Sequence, residues 1–329
     1  MKEISVIGSG SMATALVKIL TENKVQVNWY VRRINQADHI KEKDINPDYL
    51  SFVKLRGDFI YISTDLNEII KRSATIVFLV PSSQLAHLSQ QIEIKNLKNK
   101  FIITSIKGLV GTDKVLPSIF LSNYFAIPEI DIGIIAGPCH AEEIANNRRT
   151  YMTLCSKNQP IIKQLIPYFS TSYVSVGTSE DLIGIEYAAI YKNVIGIIIG
   201  IAKGLNYGDN FIAVLMSNAI NELQMFLKNI NIATENLASS SYLGDMLVTG
   251  YSDHSRNRTF GELIGKGLSV EQAMNKMSMV VEGYTATQGL YQLSKSINLM
   301  MPILYTSYRI LFLHMPVETE FKLLERNIK

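Results

Sequence analysis

Lys192 stands in the most apolar stretch of this 329-residue chain, residues 182–210, with Glu186 and Asn193 as polar company. A lysine in such a run must reach water along its stem or be held by partners in a site. Burial disfavours the ammonium and lowers its pKa, which suits a proton-transferring lysine. Gly196, Gly200 and Gly204 recur every four residues, leaving one helical face nearly bare to a ligand or another backbone. The window is about as long as the roughly twenty apolar residues that a membrane span needs. The polar residues inside it, and the lack of an aromatic or basic flanking pattern, argue against a span. A core helix whose lysine merely snorkels is the competing reading.

A second set of polar residues lies downstream. Asp245 and Thr249 are four apart and share one face if helical. Asp253-His254-Ser255-Arg256-Asn257-Arg258 is the densest polar cluster in the chain. Ser-Arg-Asn offers a hydroxyl, a forked cation and an amide, a set suited to a phosphate or carboxylate, with a solvated turn as the alternative. Val280-Val281-Glu282-Gly283 is a weaker signal, an acid after two valines with a glycine to turn the chain. Cys139 and His140 suggest a nucleophile, but no second histidine or acid is placed to complete a triad. His39, His87, His254 and His314 lack metal-ligand spacing, so no metal is expected.

These residues need a scaffold, and the N-terminal half supplies its pattern. Ile4–Ile7 is a short β-branched run ending in Gly8-Ser9-Gly10-Ser11-Met12-Ala13, followed by a helical pattern to about Asn23 and a second strand, Val25–Val31. Strand, glycine turn, helix and strand form the first half of a dinucleotide-binding unit. Gly8 allows the tight turn, Gly10 lets backbone approach a pyrophosphate, and Ala13 lets helix and strand pack. Free N–H groups at the helix start, near Ser11 and Met12, would receive phosphate.

An NAD-preferring site usually places an acid at the end of the second strand, to hold the ribose 2′-hydroxyl. Here the strand ends Tyr30-Val31-Arg32-Arg33, and two guanidiniums suit a 2′-phosphate. NADPH is therefore the expected cofactor, with NADH still open and a solvated basic turn as the alternative.

Further α/β elements follow. Thr64–Ser73 is helical, Thr75–Val80 is a buried strand stopped by Pro81, and Ser82 caps a helix to about Ile94. Phe101–Gly108 is a strand carrying Lys107, and Asp131–Gly137 is a strand that breaks into a helix through Pro138–Glu143. Ligands of an open α/β sheet lie beyond the carboxyl ends of its strands, so Arg32, Val80-Pro81, Lys107 and Gly137–Ala141 are rim candidates. Tyr151–Ser156 and Val174–Gly177 read as the last strands. Beyond them come only helices: 181–203, 211–229, 234–239, 242–251, 259–266, 270–277, 285–296 and 302–313. Pro302 suits a first-turn position. The expected fold is α/β: a Rossmann-type sheet over residues 1–178, then an all-α substrate domain over 179–329.

Composition narrows the class. Apolar residues are 47% and charged residues 19%, a globular balance without long disordered tails. A dispersed net charge of +3 gives no footprint for a nucleic-acid partner. Cys139 and Cys155 are the only cysteines, which excludes a disulfide framework. With a start that runs straight into a strand pattern, the expected compartment is the cytoplasm. Oligomeric state is open, a homodimer being one candidate.

The ordered blocks resemble the bacterial NAD(P)-dependent glycerol-3-phosphate dehydrogenases over nearly the whole chain. They are Ile7–Leu16, Val77–Ser82, Ser105–Gly108, Ala136–Glu143, Tyr191–Val194, Gly204–Asn210, Gly244-Asp245, Ser255–Arg258 and Val281–Gly283. The resemblance implies a Rossmann domain with a helical C-terminal domain. It also implies interconversion of dihydroxyacetone phosphate and sn-glycerol 3-phosphate for phospholipid synthesis. By the same resemblance Lys192 is the proton donor and acceptor, and Lys107 contacts substrate and cofactor. Asn193, Asp245 and Thr249 would complete the reaction pocket.

Ser255, Arg256 and Asn257 would bind the substrate phosphate, with Arg256 also near the cofactor. Gly137, Cys139 and Ala141 would touch both ligands, and Val280 and Glu282 the cofactor. Met12 stands where the family more often has tryptophan, and Cys139 where it often has serine. Met12 can still pack apolar surface on the cofactor, whereas a thiol is the poorer hydrogen-bond partner. A β-hydroxyacid or 6-phosphogluconate-type dehydrogenase shares the plan, but the Ser-Arg-Asn-Arg block argues against it. A dinucleotide-binding regulator without catalysis would have to explain why both lysines remain.

Overall fold

Short β-branched runs with apolar residues on both faces become a central parallel sheet, the form that such runs take when helices cover each side. The computed structural model describes residues 3–234, 236–252, 255–277 and 280–329. Its strands are β1 (Glu3–Ile7), β2 (Gln26–Tyr30), β3 (Ile60–Ser63), β4 (Thr75–Phe78), β5 (Phe101–Thr104), β6 (Ile132–Ala136), β7 (Thr150–Cys155) and β8 (Val174–Ser179). They lie in the order β3-β2-β1-β4-β5-β6-β7-β8. The first six are parallel and β7 runs antiparallel to β6. The 3-2-1-4-5-6 core of this order is that of the dinucleotide-binding sheet.

Alternate residues face opposite ways, as a pleated strand requires. Ile76, Phe78 and Ile102 enter one core, while Val77 and Ile103 enter the other with helix α1 (Ser11–Glu22). In register, Ile7 lies beside both Tyr30 and Phe78, and Phe78 beside Thr104. The carboxyl ends of these strands therefore form one edge.

The chain divides into two compact units, Met1–Ile106 with Val110–Leu182, and Lys107–Leu109 with Ile183–Lys329. The expected strand Phe101–Gly108 stops at Thr104, whose Oγ1 accepts the Ile106 N–H at 3.2 Å and so turns the chain out of the ladder. The next residues, with Lys107, belong to the second unit.

In that unit the apolar run forms helix Leu182–Gly204. Among the described residues it is the one candidate by length and hydropathy for a membrane span, yet 89% of its most apolar window is buried inside the protein. It is a core helix. Gly200 and Gly204 meet the backbone of helix Arg256–Gly265: an added Cβ would lie 2.1 Å from Arg258 O at Gly200 and 2.6 Å from Glu262 O at Gly204. From the other side, a Cβ on Gly261 would lie 2.0 Å from Ile197 O. The bare glycine face is filled by another backbone.

Several boundaries differ from expectation. Pro81, not Ser82, holds the N-cap position of helix Ser82–Ser89. No helix forms over the described residues of 234–239, where the Asn236 side chain accepts the Ala238 N–H at 3.0 Å and stabilises a turn. A single wide π turn, Ser240–Gly244, then leads into helix Asp245–Tyr251. Pro302 opens helix Pro302–Leu313 as expected, and Val317–Glu325 adds a last helix.

Candidate active site

The glycine turn after β1 is built for close approach. Gly8 has φ +121°, and a Cβ there would sit 2.5 Å from Leu79 O, so no other residue fits without rearrangement. At Gly10 an added Cβ meets nothing within 4 Å, which leaves the start of α1 open to a ligand. Gly10 makes no side-chain cap, and α1 begins at Ser11 with Met12 half-buried against the core. Uncapped N–H groups at an open helix start are an anion-binding donor set. The turn therefore fits a dinucleotide pyrophosphate.

Two layers hold this turn. Trp29 Nε1 donates to Gly8 O at 2.6 Å. Gln36 Nε2 and Asn46 Nδ2, both on buried side chains, donate to Ser9 O at 3.2 and 3.0 Å. Sequence reasoning missed both amides. Gln36 carried a signal, a polar residue on the same face as the buried Ile40 of helix α2 (Ile34–Lys43); Asn46, in the loop beyond, carried none.

Past β2, Arg32 is exposed and makes no ion pair among the described residues. Its charge pulls the Tyr30 phenol down against burial, which pushes that phenol up overall. Arg33 is engaged: its Nη2 lies 2.7 Å from Asp48 Oδ2. At the end of β6, Gly137 has φ +94°, and a Cβ would meet Tyr151 O at 2.9 Å. Cys139 is buried with Sγ 4.0 Å from Ala136 O, and Ala141 opens a short helix.

The helical unit brings together residues far apart in sequence. Lys192 is 4% exposed, and its Nζ donates to Asp245 Oδ1 at 2.5 Å. Lys107 Nζ reaches the other carboxylate oxygen at 3.3 Å. One buried carboxylate thus faces two lysine amines, with Lys192 buried beside it and Lys107 still about a fifth exposed. Lys107 also accepts, through its carbonyl, the Asn193 Nδ2–H at 2.8 Å. Asn193 Oδ1 accepts from Asn257 Nδ2 at 3.0 Å, and Asn257 Oδ1 accepts the Gly283 N–H at 3.0 Å. This chain of amides fixes Lys107, helix Leu182–Gly204, helix Arg256–Gly265 and the start of helix Glu282–Ser296 against one another.

Gly196 lies one turn beyond Lys192. A Cβ there would be 3.1 Å from both Asn257 Cβ and Thr249 Cγ2, and 3.5 Å from Ser255 Oγ. Thr249, Ser255 and Asn257 therefore gather on the face that carries Lys192. Thr249 Oγ1 donates to Asp245 O at 2.9 Å, as the four-residue spacing requires. Ser255 caps its helix by accepting the Arg258 N–H at 3.4 Å, and Arg258 is buried with Nη1 on Tyr251 O. The segment is not a solvated turn. Arg256 is exposed and reaches Val280 O at 3.3 Å, adjacent in the chain to Val281 and Glu282. Asp253 and His254 lie outside the described residues. Among the described residues, no group of three or more His, Cys, Asp or Glu side chains is gathered to hold a metal.

A Rossmann sheet with an open glycine turn, followed by an all-α unit with two lysines on one buried carboxylate, defines a class: dinucleotide-dependent oxidoreductases of the sheet-plus-helices plan. Residues 3–162 match the model of the NAD-dependent glycerol-3-phosphate dehydrogenase N-terminus, and residues 181–322 that of its C-terminus. The chain belongs to the NAD-dependent glycerol-3-phosphate dehydrogenase family. It is 33% identical over 331 residues to glycerol-3-phosphate dehydrogenase [NAD(P)+] of Staphylococcus aureus strain JH9, covering 100% of this chain and 99% of that protein. The corresponding protein of Staphylococcus saprophyticus is 31% identical over 323 residues, 98% of this chain and 97% of its own length.

Among solved structures, glycerol-3-phosphate dehydrogenase of Coxiella burnetii superposes with a TM-score of 0.89 at 25% identity, over 98% of each chain. A ketopantoate reductase from Ralstonia eutropha JMP134 superposes at 0.63 with 12% identity, over 97% of this chain and 99% of its own, a likeness of fold alone.

Proposed function

We propose that the protein reduces dihydroxyacetone phosphate to sn-glycerol 3-phosphate with a nicotinamide dinucleotide, reversibly, and so supplies the backbone of glycerophospholipids. The observation that carries the reading is the Lys192–Asp245–Lys107 cluster beside the Asn193–Asn257 amides. Reduction of a ketone needs a proton at oxygen as negative charge develops there. Lys192 donates that proton as its ammonium, and Lys107 lends a second positive charge. Asp245 orients both amines and keeps their charge tolerable away from water.

Arg256 is the strongest candidate for the substrate phosphate, because its guanidinium is exposed. Ser255 keeps its hydroxyl proton after capping the helix, and Asn257 one amide proton beyond its bond to Asn193. Holding the phosphate away from the reacting carbon gives orientation without interfering with proton transfer. The dinucleotide would lie on Gly8, Gly10, Ser11 and Met12, with Arg32 and Arg33 at its ribose. Gly137, Cys139, Ala141, Val280 and Glu282 would add contacts to the ligands. What the dinucleotide supplies when bound is a hydride for the ketone carbon. Two guanidiniums past β2 favour NADPH over NADH. Two buried thiols without a disulfide suit work in a reducing cytoplasm.

Initial rates on dihydroxyacetone phosphate with each dinucleotide test the reading, alongside Lys192→Ala. The variant should bind dinucleotide within about twofold of wild type while turnover falls roughly 10²–10⁴-fold, the usual weight of a positioned acid–base group. Near-normal turnover without Lys192 would overturn the assignment.

A further inference from the structure

The end of β2 lacks the acid that a 2′-hydroxyl would want, but one arrives from further along the chain. Asp48, in the loop after α2, places Oδ2 2.7 Å from Arg33 Nη2. Both side chains are about half exposed, and an ion pair of that kind is worth little by itself. Its anchoring is what sets it apart. The Asp48 N–H donates to Asn46 Oδ1 at 3.2 Å, and Asn46 is fully buried. Asn46 Nδ2 donates to Ser9 O at 3.0 Å and to Thr14 Oγ1 at 2.7 Å. Gln36 Nε2 donates to Asn46 Oδ1 at 2.8 Å and to Ser9 O at 3.2 Å, while its Oε1 accepts from Ser9 Oγ at 3.0 Å and Arg33 Nη2 at 3.3 Å.

Both protons of each amide are engaged, so neither can turn without leaving a buried group unpaired. The same two amides therefore hold the glycine turn, the Asp48 backbone and the Arg33 guanidinium together.

We infer that Asp48 is a specificity-determining residue for the dinucleotide, an anion that competes with a 2′-phosphate for Arg33 and an acceptor available to a 2′-hydroxyl. The inference rests on the assignment of the end of β2 to the cofactor ribose. It makes Arg32 the open guanidinium and Arg33 the one already spoken for, so that the preference for NADPH is held down. A 2′-phosphate carries close to two negative charges, and a carboxylate about 4 Å from it would weaken its binding by roughly ten- to thirtyfold at the dielectric of water, before salt screens the repulsion.

The test is the dissociation constant of NADPH and of NADH, measured by titration calorimetry at low ionic strength on the whole chain. The proteins are wild type, Asp48→Asn, Arg32→Ala, Arg33→Ala and Asp48→Asn in the Arg33→Ala background. Asp48→Asn should raise the NADPH-to-NADH affinity ratio roughly tenfold. That gain should shrink as salt is added and be smaller without Arg33. An unchanged ratio in Asp48→Asn, with Arg32→Ala or Arg33→Ala still lowering it, overturns the role of Asp48 and keeps the ribose assignment. A ratio unmoved by any variant overturns the ribose assignment as well. An unfolding midpoint at the wild-type value in Asp48→Asn shows that the amide lock is intact and that the ratio reports on the charge.

Discussion

Asp245 holds the two lysines together, and its chemistry is a balance of charge. It is 1% exposed, with ammonium groups at 2.5 and 3.3 Å on its two oxygens. Removing one partner of a buried ionic cluster leaves the rest uncompensated, at a cost of about 3–5 kcal/mol. Asp245→Asn keeps the shape and loses the charge, so the two amines face each other across a neutral amide. Denaturant unfolding should show a loss on that scale, and initial rates a fall in turnover of roughly a hundredfold or more. Wild-type stability and turnover in this variant would mean that the carboxylate does not organise the lysines.

At the scale of elements, the decisive contact is between helix Leu182–Gly204 and helix Arg256–Gly265, which carry Lys192 and Arg256. Their backbones meet because Gly200, Gly204, Gly261 and Gly265 have no side chains. Gly200→Ala would put a Cβ 2.1 Å from Arg258 O and 2.8 Å from Glu262 N, both backbone atoms that cannot yield by a rotamer change. The helices must separate, which displaces Ser255–Asn257 from the Lys192 face. A stability loss of about 2 kcal/mol or more is expected, together with a raised KM for the phosphorylated substrate. Gly177→Ala in β8 is the matched control, since its nearest neighbours would be 4.0 Å away. It should stay within about 0.5 kcal/mol of wild type. Equal stability of the two variants would contradict the close crossing.

At the scale of the molecule, Glu222 ties three helices of the second unit and makes its stability pH-dependent. It lies on helix Asp209–Asn229, accepts from Tyr191 OH at 2.5 Å, and takes the Ile303 and Leu304 N–H groups at 2.9 and 3.1 Å, capping helix Pro302–Leu313. Burial pushes its carboxyl up to about 7, although those three hydrogen bonds pull the other way. The folded form then binds a proton that the unfolded form, with an ordinary carboxyl near 4.5, has released. This contribution to stability is fully present below about pH 4.5 and is lost as pH rises through about 7, by about 3 kcal/mol in all. Glu222→Gln removes the titration and turns an amide donor toward a helix start, so it is less stable at every pH. Its deficit against wild type should be largest near pH 5 and smaller near pH 8 by unfolding in denaturant; a constant deficit would refute the linkage.

The sequence by itself determined what periodicity and local chemistry determine. Gly8-x-Gly10 between a β-branched run and a helical pattern marked a tight strand-to-helix turn, because its position at the first strand–helix junction adds to what the glycines say. The apolar window around Lys192 read as a core helix, because its polar residues argue against a membrane span. The family blocks carried the reaction, since their order along the chain is far more specific than any one motif. Tertiary structure decided the pairings, which are long-range and set by packing rather than by any local rule. Lys192 finds Asp245 across 53 positions, and Lys107 leaves the strand it seemed to extend to share that carboxylate. Ser255 and Asn257 read from sequence as anion ligands or a solvated turn, and the fold makes them a helix cap and a buried amide bridge where Gly196 lets their helix close in. Asn46 and Asp48 had no pattern to mark them, for their meaning lies in which buried donors and acceptors the fold left for them to satisfy.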